Sequence, residues 1–188
     1  MNQTLKLVVL YVDICHSTAI TRQMKSAQRK KYYEPFLNEM VNVANDFGGY
    51  PFKTAGDEVI VFFPETGSFA FADNSIICGL MMIETVRKVI SPFLETQGLP
   101  SLTCRVSTDY GEVTLVRIDG MIPPVDYVGN VMNFAGKFLK KADENTMLIG
   151  QNLFEVIYTD YRLACALKGE LDPDGETYKF YQVNYKLP

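Results

Sequence analysis

Residues 52–64 read FKTAGDEVIVFFP, two apolar segments separated by a glycine and two acids. Because Gly and Asp are frequent in tight turns, this pattern predicts a β-hairpin with strands over residues 50–54 and 59–63. The carboxylate of Asp57 at the hairpin tip has two explanations, turn formation alone or the binding of a metal ion. The hairpin does not decide between them, so the surrounding sequence has to.

The composition is that of an ordinary globular protein. Of 188 residues, 47% are hydrophobic and 21% are charged, which predicts one domain over residues 1–188 with a sizeable core. The net charge is −4, and no stripe of basic residues with interleaved aromatics is present in the sequence. A nucleic-acid partner is therefore disfavoured.

Cysteine usage and hydropathy indicate a cytoplasmic protein. The four cysteines are widely separated, form no CxxC pair and are accompanied by one histidine, which disfavours a zinc cluster and fits a reducing compartment. The apolar residues 5–12 are too few to span a bilayer, and no cleavage site follows them. We therefore expect neither a membrane anchor nor a signal peptide, and residues 5–12 predict a buried central strand.

The order of the predicted elements favours an α+β fold. Strands are predicted over residues 5–12, 50–54, 59–63, 102–108, 112–118, 147–149, 162–167 and 177–183. Helices are predicted from residue 17 or 18, and over residues 26–47, 69–93, 128–141 and 151–158. A turn at Asp109-Tyr110-Gly111 joins two of the strands. The resulting β-α-β-β-α-β order is that of a ferredoxin-like core with a small α/β extension at its C-terminal end.

Asp13 is the second acid that stands out, because it directly follows the first strand and precedes a helix. Backbone N–H groups at the start of a helix bind phosphate, so the adjoining residues are candidates to surround a triphosphate: Cys15, His16, Ser17 and Thr18. In the predicted sheet the hairpin tip lies beside the first strand, which brings Asp57 near Asp13. Two carboxylates from adjacent strands suit two hard cations, whereas Asp13 alone is equally explained as a helix cap.

The sequence resembles the catalytic domain of class III nucleotidyl cyclases. Two stretches, LYVDICHST (10–18) and GGYPFKTAGDEVIVFF (48–63), are similar to the two segments in which that family places its metal-binding aspartates. CRVSTDYGEV (104–113) resembles the family's Gly-Ile-His-x-Gly-x-Val strand pair, and DYVGNVMNFAGK (126–137) resembles its Asp-x-x-Gly-x-x-Val-Asn-x-Ala-x-Arg helix. The resemblance extends from about residue 5 to residue 183, with the motifs in the family's order.

The resemblance implies a role for each matching residue. Asp13, Asp57 and the Ile14 carbonyl would hold two Mg²⁺ or Mn²⁺ ions, and the ribose 3′-hydroxyl would attack the α-phosphorus to release pyrophosphate. Asn133 would orient the ribose. Lys137 takes the place of the family's transition-state Arg, one helical turn further on, and supplies charge without a bidentate fork. The remaining implied phosphate contact is Lys168.

The base specificity remains open at this point. Lys53 and Asp126 occupy the positions of the family's base-reading pair, and a Lys donor with an Asp acceptor suits adenine, which favours an adenylate cyclase. Against this, the bare catalytic core resembles the stand-alone pyrimidine cyclases of Pycsar anti-phage systems, whose products activate a separate effector. An aromatic ring at Tyr50 would also shrink the base pocket. The expectation is therefore a uridylate cyclase making cyclic UMP, with CTP and then ATP as alternatives.

The resemblance also predicts the assembly. Family sites lie between two domains, so a chain with both sets of residues should form a symmetric homodimer with shared sites. Two other interpretations stay open: a diguanylate cyclase, because AGDEV is close to that family's hairpin, and a nucleotide-sensing domain without activity. His16 is also a conceivable general base, although an exposed loop residue explains it equally well.

Overall fold

The computed structural model describes residues 4–120, 125–172 and 175–187. The strands are β1 (Thr4–Ile14), β2 (Tyr50–Ala55), β3 (Glu58–Pro64), β4 (Cys104–Arg117), β5 (Val125–Val128), β6 (Met147–Gly150), β7 (Cys165–Leu171) and β8 (Tyr178–Val183). The helices are α1 (Ser17–Thr21), α2 (Ser26–Asp46), α3 (Ala70–Thr85), α4 (Ser91–Thr96), α5 (Asn130–Leu139), α6 (Gln151–Val156) and α7 (Thr159–Leu163). No helix of these described ranges is both long and apolar enough to cross a membrane.

All eight strands belong to one sheet, ordered β2-β3-β1-β4-β6-β8-β7, with β5 paired to β4. The neighbouring order β2-β3-β1-β4 is the antiparallel arrangement of a ferredoxin-like core, and β6, β8 and β7 extend it. The predicted α+β class and core are therefore confirmed. The 52–64 hairpin is also confirmed, since β2 and β3 pair from Tyr50–Phe62 to Ala55–Glu58.

The two faces of β1 support different helices, because alternate side chains of a strand point to opposite sides of a sheet. Val8, Leu10 and Val12 belong to the large core that is filled by α2 and α3. Leu7, Val9 and Tyr11 pack instead with α5, through a smaller cluster that includes Val131 and Ala135. Asp13 continues the second series and therefore lies on the α5 side of the sheet.

The predicted turn at residues 109–111 is wrong, because β4 is one continuous strand paired with β1 from Ile14–Cys104 to Thr4–Thr114. Asp109 lies in its middle, where three internal hydrogen bonds satisfy a carboxylate that looked like a turn signal. Gly111 also serves the strand, since a Cβ there would lie 3.0 Å from the Cβ of Val131 on α5. Hydrogen bonds explain Asp109 and close packing explains Gly111. These contacts involve residues distant in sequence, so a local turn pattern does not reveal them.

Other boundaries also differ from the predictions. Strand β5 was not predicted, and its pairing with β4 moves the start of the following helix from residue 128 to Asn130. The predicted helix over 69–93 is α3 and α4 joined by a π-helical turn, Val86–Ile90. The predicted helix 151–158 ends early, at Val156. The start of the predicted strand 162–167 lies in α7, so this strand begins only at Cys165.

Candidate active site

Asp13 lies near the end of β1, directly opposite Arg105 of β4 in the strand register. The Arg105 guanidinium donates to Asp13 Oδ2 from Nη2 at 2.7 Å and from Nε at 3.2 Å. Both side chains are largely buried, with 15% of Asp13 and 28% of Arg105 exposed. Arg105 thus neutralises in part a carboxylate that the end of a buried strand would otherwise leave charged in an apolar setting.

Asp57 follows Gly56, whose φ of 69° is the left-handed conformation that a tight turn between β2 and β3 requires. This turn buries Asp57 Oδ2, which has no hydrogen-bond partner among the described residues. An unpaired buried carboxylate oxygen is costly, because its lost hydration is not replaced. The turn therefore positions a carboxylate oxygen that the described part of the chain leaves without a hydrogen bond.

The two aspartates lie close enough to influence each other. Burial raises the pKa of Asp13, the hydrogen bond from Arg105 opposes that shift, and the neighbouring Asp57 carboxylate raises it further. Glu58, the first residue of β3, is also half-buried, and burial together with the charges of Asp13 and Asp57 raises its pKa. Negative charge is therefore concentrated at this edge of the sheet, where a cation would relieve the repulsion.

The register also places the Ile14 carbonyl. Antiparallel strands alternate the direction of their peptide groups, and the Cys15 N–H donates to the Thr103 carbonyl on the β4 side at 2.9 Å. The Ile14 carbonyl, in the same peptide group as the Cys15 N–H, therefore points to the other side of β1, towards the hairpin. Pairing of β1 with β3 ends at Val12–Val59, so the Ile14 carbonyl lies beyond the last paired residue and faces the Asp57 turn.

A cavity of about 770 Å³ opens at this point, lined by residues 13–19, Asp57, Arg105 and residues 142–144. His16, Ser17 and Thr18 lie in its wall, and His16 has the left-handed φ of 57° that starts α1. His16 Nε2 is 3.2 Å from Glu144 Oε1, and 71% of the His16 side chain is exposed. Cys15 differs from its neighbours, because its side chain is buried and its amide is already bonded to Thr103.

These residues fit divalent cations. The described residues contain no cluster of three or more His, Cys, Asp and Glu side chains arranged around a metal position. A site built on Asp13, Asp57 and the Ile14 carbonyl would take its remaining ligands from water and from substrate phosphates, which is how Mg²⁺ is commonly bound. The unsatisfied Asp57 Oδ2 is the observation in favour, since a cation supplies the partner that it lacks.

Asn133 and Lys137 lie one turn apart on α5, and both are exposed. Neither lines the acidic cavity of its own chain. The ammonium group of Lys137 lies 5.9 Å from the centre of the Phe134 ring, within the range of a cation–π contact. The structure therefore keeps these two residues together but separates them from the aspartates.

Lys53 and Asp126 form an ion pair between β2 and β5, with Lys53 Nζ 2.8 Å from each carboxylate oxygen. Asp126 Oδ1 also accepts the Tyr127 N–H, and the Lys53 ammonium with this amide holds the pKa of Asp126 below its usual value. Tyr50 is 65% exposed, and within the described part of the chain no hydrogen bond or ring contact joins it to this pair. The base-reading candidates are together, and Tyr50 stands apart from them.

Lys168 is the last residue implied by the resemblance. Its Nζ lies 2.5 Å from Asp143 Oδ2, and Asp143 lines the acidic cavity. Lys168 is therefore at the margin of the cavity, held by an acid of its own chain. Sequence reasoning missed this partner, and it also missed Arg105 and Glu144. Only Arg105 had a usable signal, since it lies within the CRVSTDYGEV motif.

The fold and the motifs belong to a known family. Residues 1–184 match the family described as the adenylate and guanylate cyclase catalytic domain, so this chain is a member of it. The class III cyclase resemblance is thereby confirmed.

A cytidylate cyclase from Staphylococcus aureus is 26% identical over 159 residues, which cover 81% of this chain and 37% of that protein. A cytidylate cyclase from Escherichia coli is 25% identical over 173 residues, which cover 84% and 37%. This chain thus spans little more than a third of the length of these relatives.

Solved structures agree on the fold. The adenylyl cyclase CyaB from P. aeruginosa superposes with a TM-score of 0.86 at 25% identity, covering 100% of this chain and 97% of that one. The guanylate cyclase domain of RhGC from Catenaria anguillulae, in complex with GTP, superposes with a TM-score of 0.82 at 19% identity, covering 96% and 97%. Adenylyl and guanylate cyclases share the fold, so the fold leaves the base open.

Proposed function

We propose that this protein is a nucleotidyl cyclase that converts a pyrimidine nucleoside triphosphate to its 3′,5′-cyclic nucleotide and pyrophosphate. The observation that carries the proposal is the Asp13–Asp57 pair beside an acidic cavity, in which the buried Asp57 Oδ2 has no hydrogen-bond partner within residues 4–120, 125–172 and 175–187. Membership of the cyclase family supports the reaction type. A diguanylate cyclase is less favoured, because the family match extends over residues 1–184 and not over the hairpin alone.

The chain's own residues have distinct tasks in this reaction. Asp13, Asp57 and the Ile14 carbonyl would bind two Mg²⁺ or Mn²⁺ ions, whose charge favours the ionised 3′-hydroxyl and the departing pyrophosphate. Arg105 lies in the cavity wall, where its guanidinium is bonded to Asp13. A metal ion bound at Asp13 would release the Arg105 guanidinium to bind phosphate oxygens. The backbone around His16, Ser17 and Thr18 would hold the phosphates from the other side, while the Cys15 amide stays engaged with Thr103.

The other half of the site would come from a second copy of the chain. Asn133 would orient the ribose and Lys137 would stabilise charge on the phosphate in the transition state, yet neither lines the acidic cavity of its own chain. A symmetric homodimer that brings α5 of one copy to the cavity of the other would complete two sites. Lys168 would leave Asp143 to contact phosphate in the same assembly.

The base preference rests on Lys53 and Asp126. Cytosine offers an N4 amino donor beside the N3 acceptor, the same pattern as the N6 donor and N1 acceptor of adenine, so a Lys–Asp pair suits both bases. Two relatives of this chain are cytidylate cyclases. We therefore place CTP first and UTP second. UTP was the expectation from sequence alone, but Tyr50, which supported a small pocket, does not contact the pair.

Product analysis tests this function. The purified protein is incubated with Mn²⁺ and each of the four NTPs separately, and the products are identified by mass spectrometry. We expect cyclic CMP or cyclic UMP with stoichiometric pyrophosphate, formed about a thousandfold more slowly by the Asp57→Asn variant. Cyclic AMP as the main product would overturn the pyrimidine assignment, a dinucleotide from GTP would indicate a diguanylate cyclase, and no product from any NTP would indicate a sensing domain.

The biological setting follows from the proposed product. A cyclic pyrimidine nucleotide would act as a signal inside the cytoplasm, read by a separate effector protein. A role in anti-phage defence remains a prediction, and phage infection of cells that carry either the wild-type protein or the Asp57→Asn variant tests it. Equal phage yields in the two strains would contradict the role.

A further inference from the structure

The most buried acid of the described chain lies outside the proposed site. Asp109, in the middle of β4, has no exposed surface. Its Oδ1 accepts the N–H groups of Tyr110 at 2.9 Å and Leu153 at 3.3 Å, and its Oδ2 accepts the Tyr178 hydroxyl at 2.8 Å. Isolated carboxylates are not buried without such partners, so this cluster needs a structural or functional reason.

The bond from Tyr178 has a defined direction. The Tyr178 oxygen accepts the Asn152 N–H at 3.2 Å, which leaves its single proton for Asp109. Close packing fixes the carboxylate as well, because a Cβ on Gly150 would lie 2.2 Å from the Asp109 carboxyl carbon. The Tyr178 hydroxyl is therefore held by Asp109 of β4 and by the Asn152 amide of α6. Gly150 of β6 in turn confines the Asp109 carboxylate.

The other side of the Tyr178 ring faces α5. It stacks on Phe134 with ring centres 4.6 Å apart and planes inclined by 29°. The ammonium group of Lys137 lies 5.9 Å from the centre of that same Phe134 ring. Phe134 also directly follows Asn133 in the helix. A continuous set of contacts thus connects a buried carboxylate to the exposed cation that the proposed reaction requires.

We propose that Asp109 and Tyr178 are positioning residues, which hold the Phe134 ring as a platform for the Lys137 ammonium. This inference rests on the proposed function of Lys137. A Lys side chain has many rotamers, and it lacks the planar fork that would orient an Arg. A fixed aromatic face favours the rotamers that place the ammonium over it, so fewer conformations compete with the productive one.

The kinetic consequence is a loss of turnover without a loss of substrate binding. Phe134→Leu keeps an apolar side chain but removes the ring, and we expect kcat to fall about tenfold while KM changes less than twofold. Tyr178→Phe keeps the ring and removes the hydroxyl, so a smaller fall in kcat is expected. The matched control is Phe154→Leu, which removes a comparable aromatic stack away from α5. The ring centres of Phe154 and Tyr181 lie 4.0 Å apart in that stack.

A double-mutant cycle separates positioning from general damage. Phe134→Leu should cause no further loss of kcat in a Lys137→Ala background, because the platform then has nothing to hold. An equal loss in both backgrounds, or no loss in either, overturns the proposal. A fall in kcat of the same size for Phe154→Leu also overturns it, since any broken stack would then suffice.

A spectroscopic measurement keeps this test independent of the cyclase reaction. The ε-methylene protons of Lys137 should show an upfield ring-current shift in the wild-type protein, reduced in Tyr178→Phe and lost in Phe134→Leu. Unshifted Lys137 protons in the wild type overturn the positioning role, whatever the activity. A shifted signal in a protein that cyclises no NTP leaves the platform in place and refutes the proposed function instead.

Discussion

The acidic cavity at the end of β1 and the exposed surface of α5, β2 and β5 are built on different principles. In the cavity, Asp13 and Asp57 are largely buried, mutually repelling and only partly neutralised by Arg105. On the exposed surface, Lys53 and Asp126 satisfy each other with two short contacts. The charges of the two cavity aspartates are thus only partly compensated, whereas Lys53 and Asp126 compensate each other.

This difference supports the proposal that one chain carries two complementary half-sites, which a second copy of the chain would join. Within the cavity only Arg105 opposes the charge of the two aspartates among the described residues, and the α5 surface offers Asn133 and Lys137 to solvent. A nucleotide with its cations would satisfy the carboxylates of one copy and the polar groups of another. The comparison predicts large effects from changes in the cavity, and smaller ones on the exposed surface and in the buried cluster.

The largest effect is expected from Asp57→Asn. Loss of one cation-binding carboxylate should lower kcat by about a thousandfold, because metal charge stabilises such a transition state by several kcal/mol. Thermal stability should stay the same or rise, since the variant removes a charge whose buried Oδ2 has no hydrogen-bond partner in the described structure. Steady-state kinetics and a thermal melt check both. Retained activity, or a large fall in Tm, would show that Asp57 is structural.

A smaller effect is expected from Lys53→Met, which keeps an unbranched side chain of similar length and removes its charge. The value of kcat/KM for the preferred NTP should fall about 10- to 100-fold, as expected for one hydrogen bond to a charged group. Discrimination among the four NTPs should narrow at the same time. Competition assays with mixed NTPs measure this, and an unchanged preference would remove Lys53 and its partner Asp126 from base recognition.

The smallest effect on activity, and a distinct effect on stability, is expected from Asp109→Asn. Burial raises the pKa of Asp109 to about 7 from 3.8, although hydrogen bonds from Tyr178 and two backbone amides oppose the shift. The folded protein then binds an extra proton between these two pH values, so the wild type should lose unfolding free energy as pH rises through that window.

The Asp109→Asn variant lacks this titration, so its unfolding free energy should fall less steeply than that of the wild type over the same pH range. Its amide can still accept the two backbone N–H groups, while the Tyr178 hydroxyl reorients to accept from the amide nitrogen. Denaturant unfolding at several pH values between 4 and 8 provides the comparison. Parallel pH profiles of the wild type and the variant would show that Asp109 keeps an ordinary pKa.

Much of the core fold was readable from local patterns. The apolar β1, the hairpin at residues 52–64 and the βαββαβ order were predicted correctly, because alternation and turn residues act over short distances. Asp109 and Gly111 were misread as a turn for the same reason. Their presence in a strand depends on Tyr178, Leu153 and Val131, which are distant in sequence.

The candidate site divides in a similar way. Asp13 and Asp57 were identified because each follows or interrupts a strand in a recognisable motif, and the structure brings both to one cavity. The Arg105 contact with Asp13 depends on the register of two strands 92 residues apart. Sequence periodicity predicts that strands exist but does not fix their mutual register, so this partner had to come from the structure.

The central claim, that two copies share each site, is tested by a heterodimer of Asp57→Ala and Lys137→Ala chains. The two chains carry different affinity tags, are co-expressed and are purified over both tags, and each homodimer serves as a control. In the heterodimer one site combines both defects and the other combines both intact halves, so we expect about half of the wild-type kcat per dimer. A heterodimer no more active than the homodimers of the two variants would contradict the shared site.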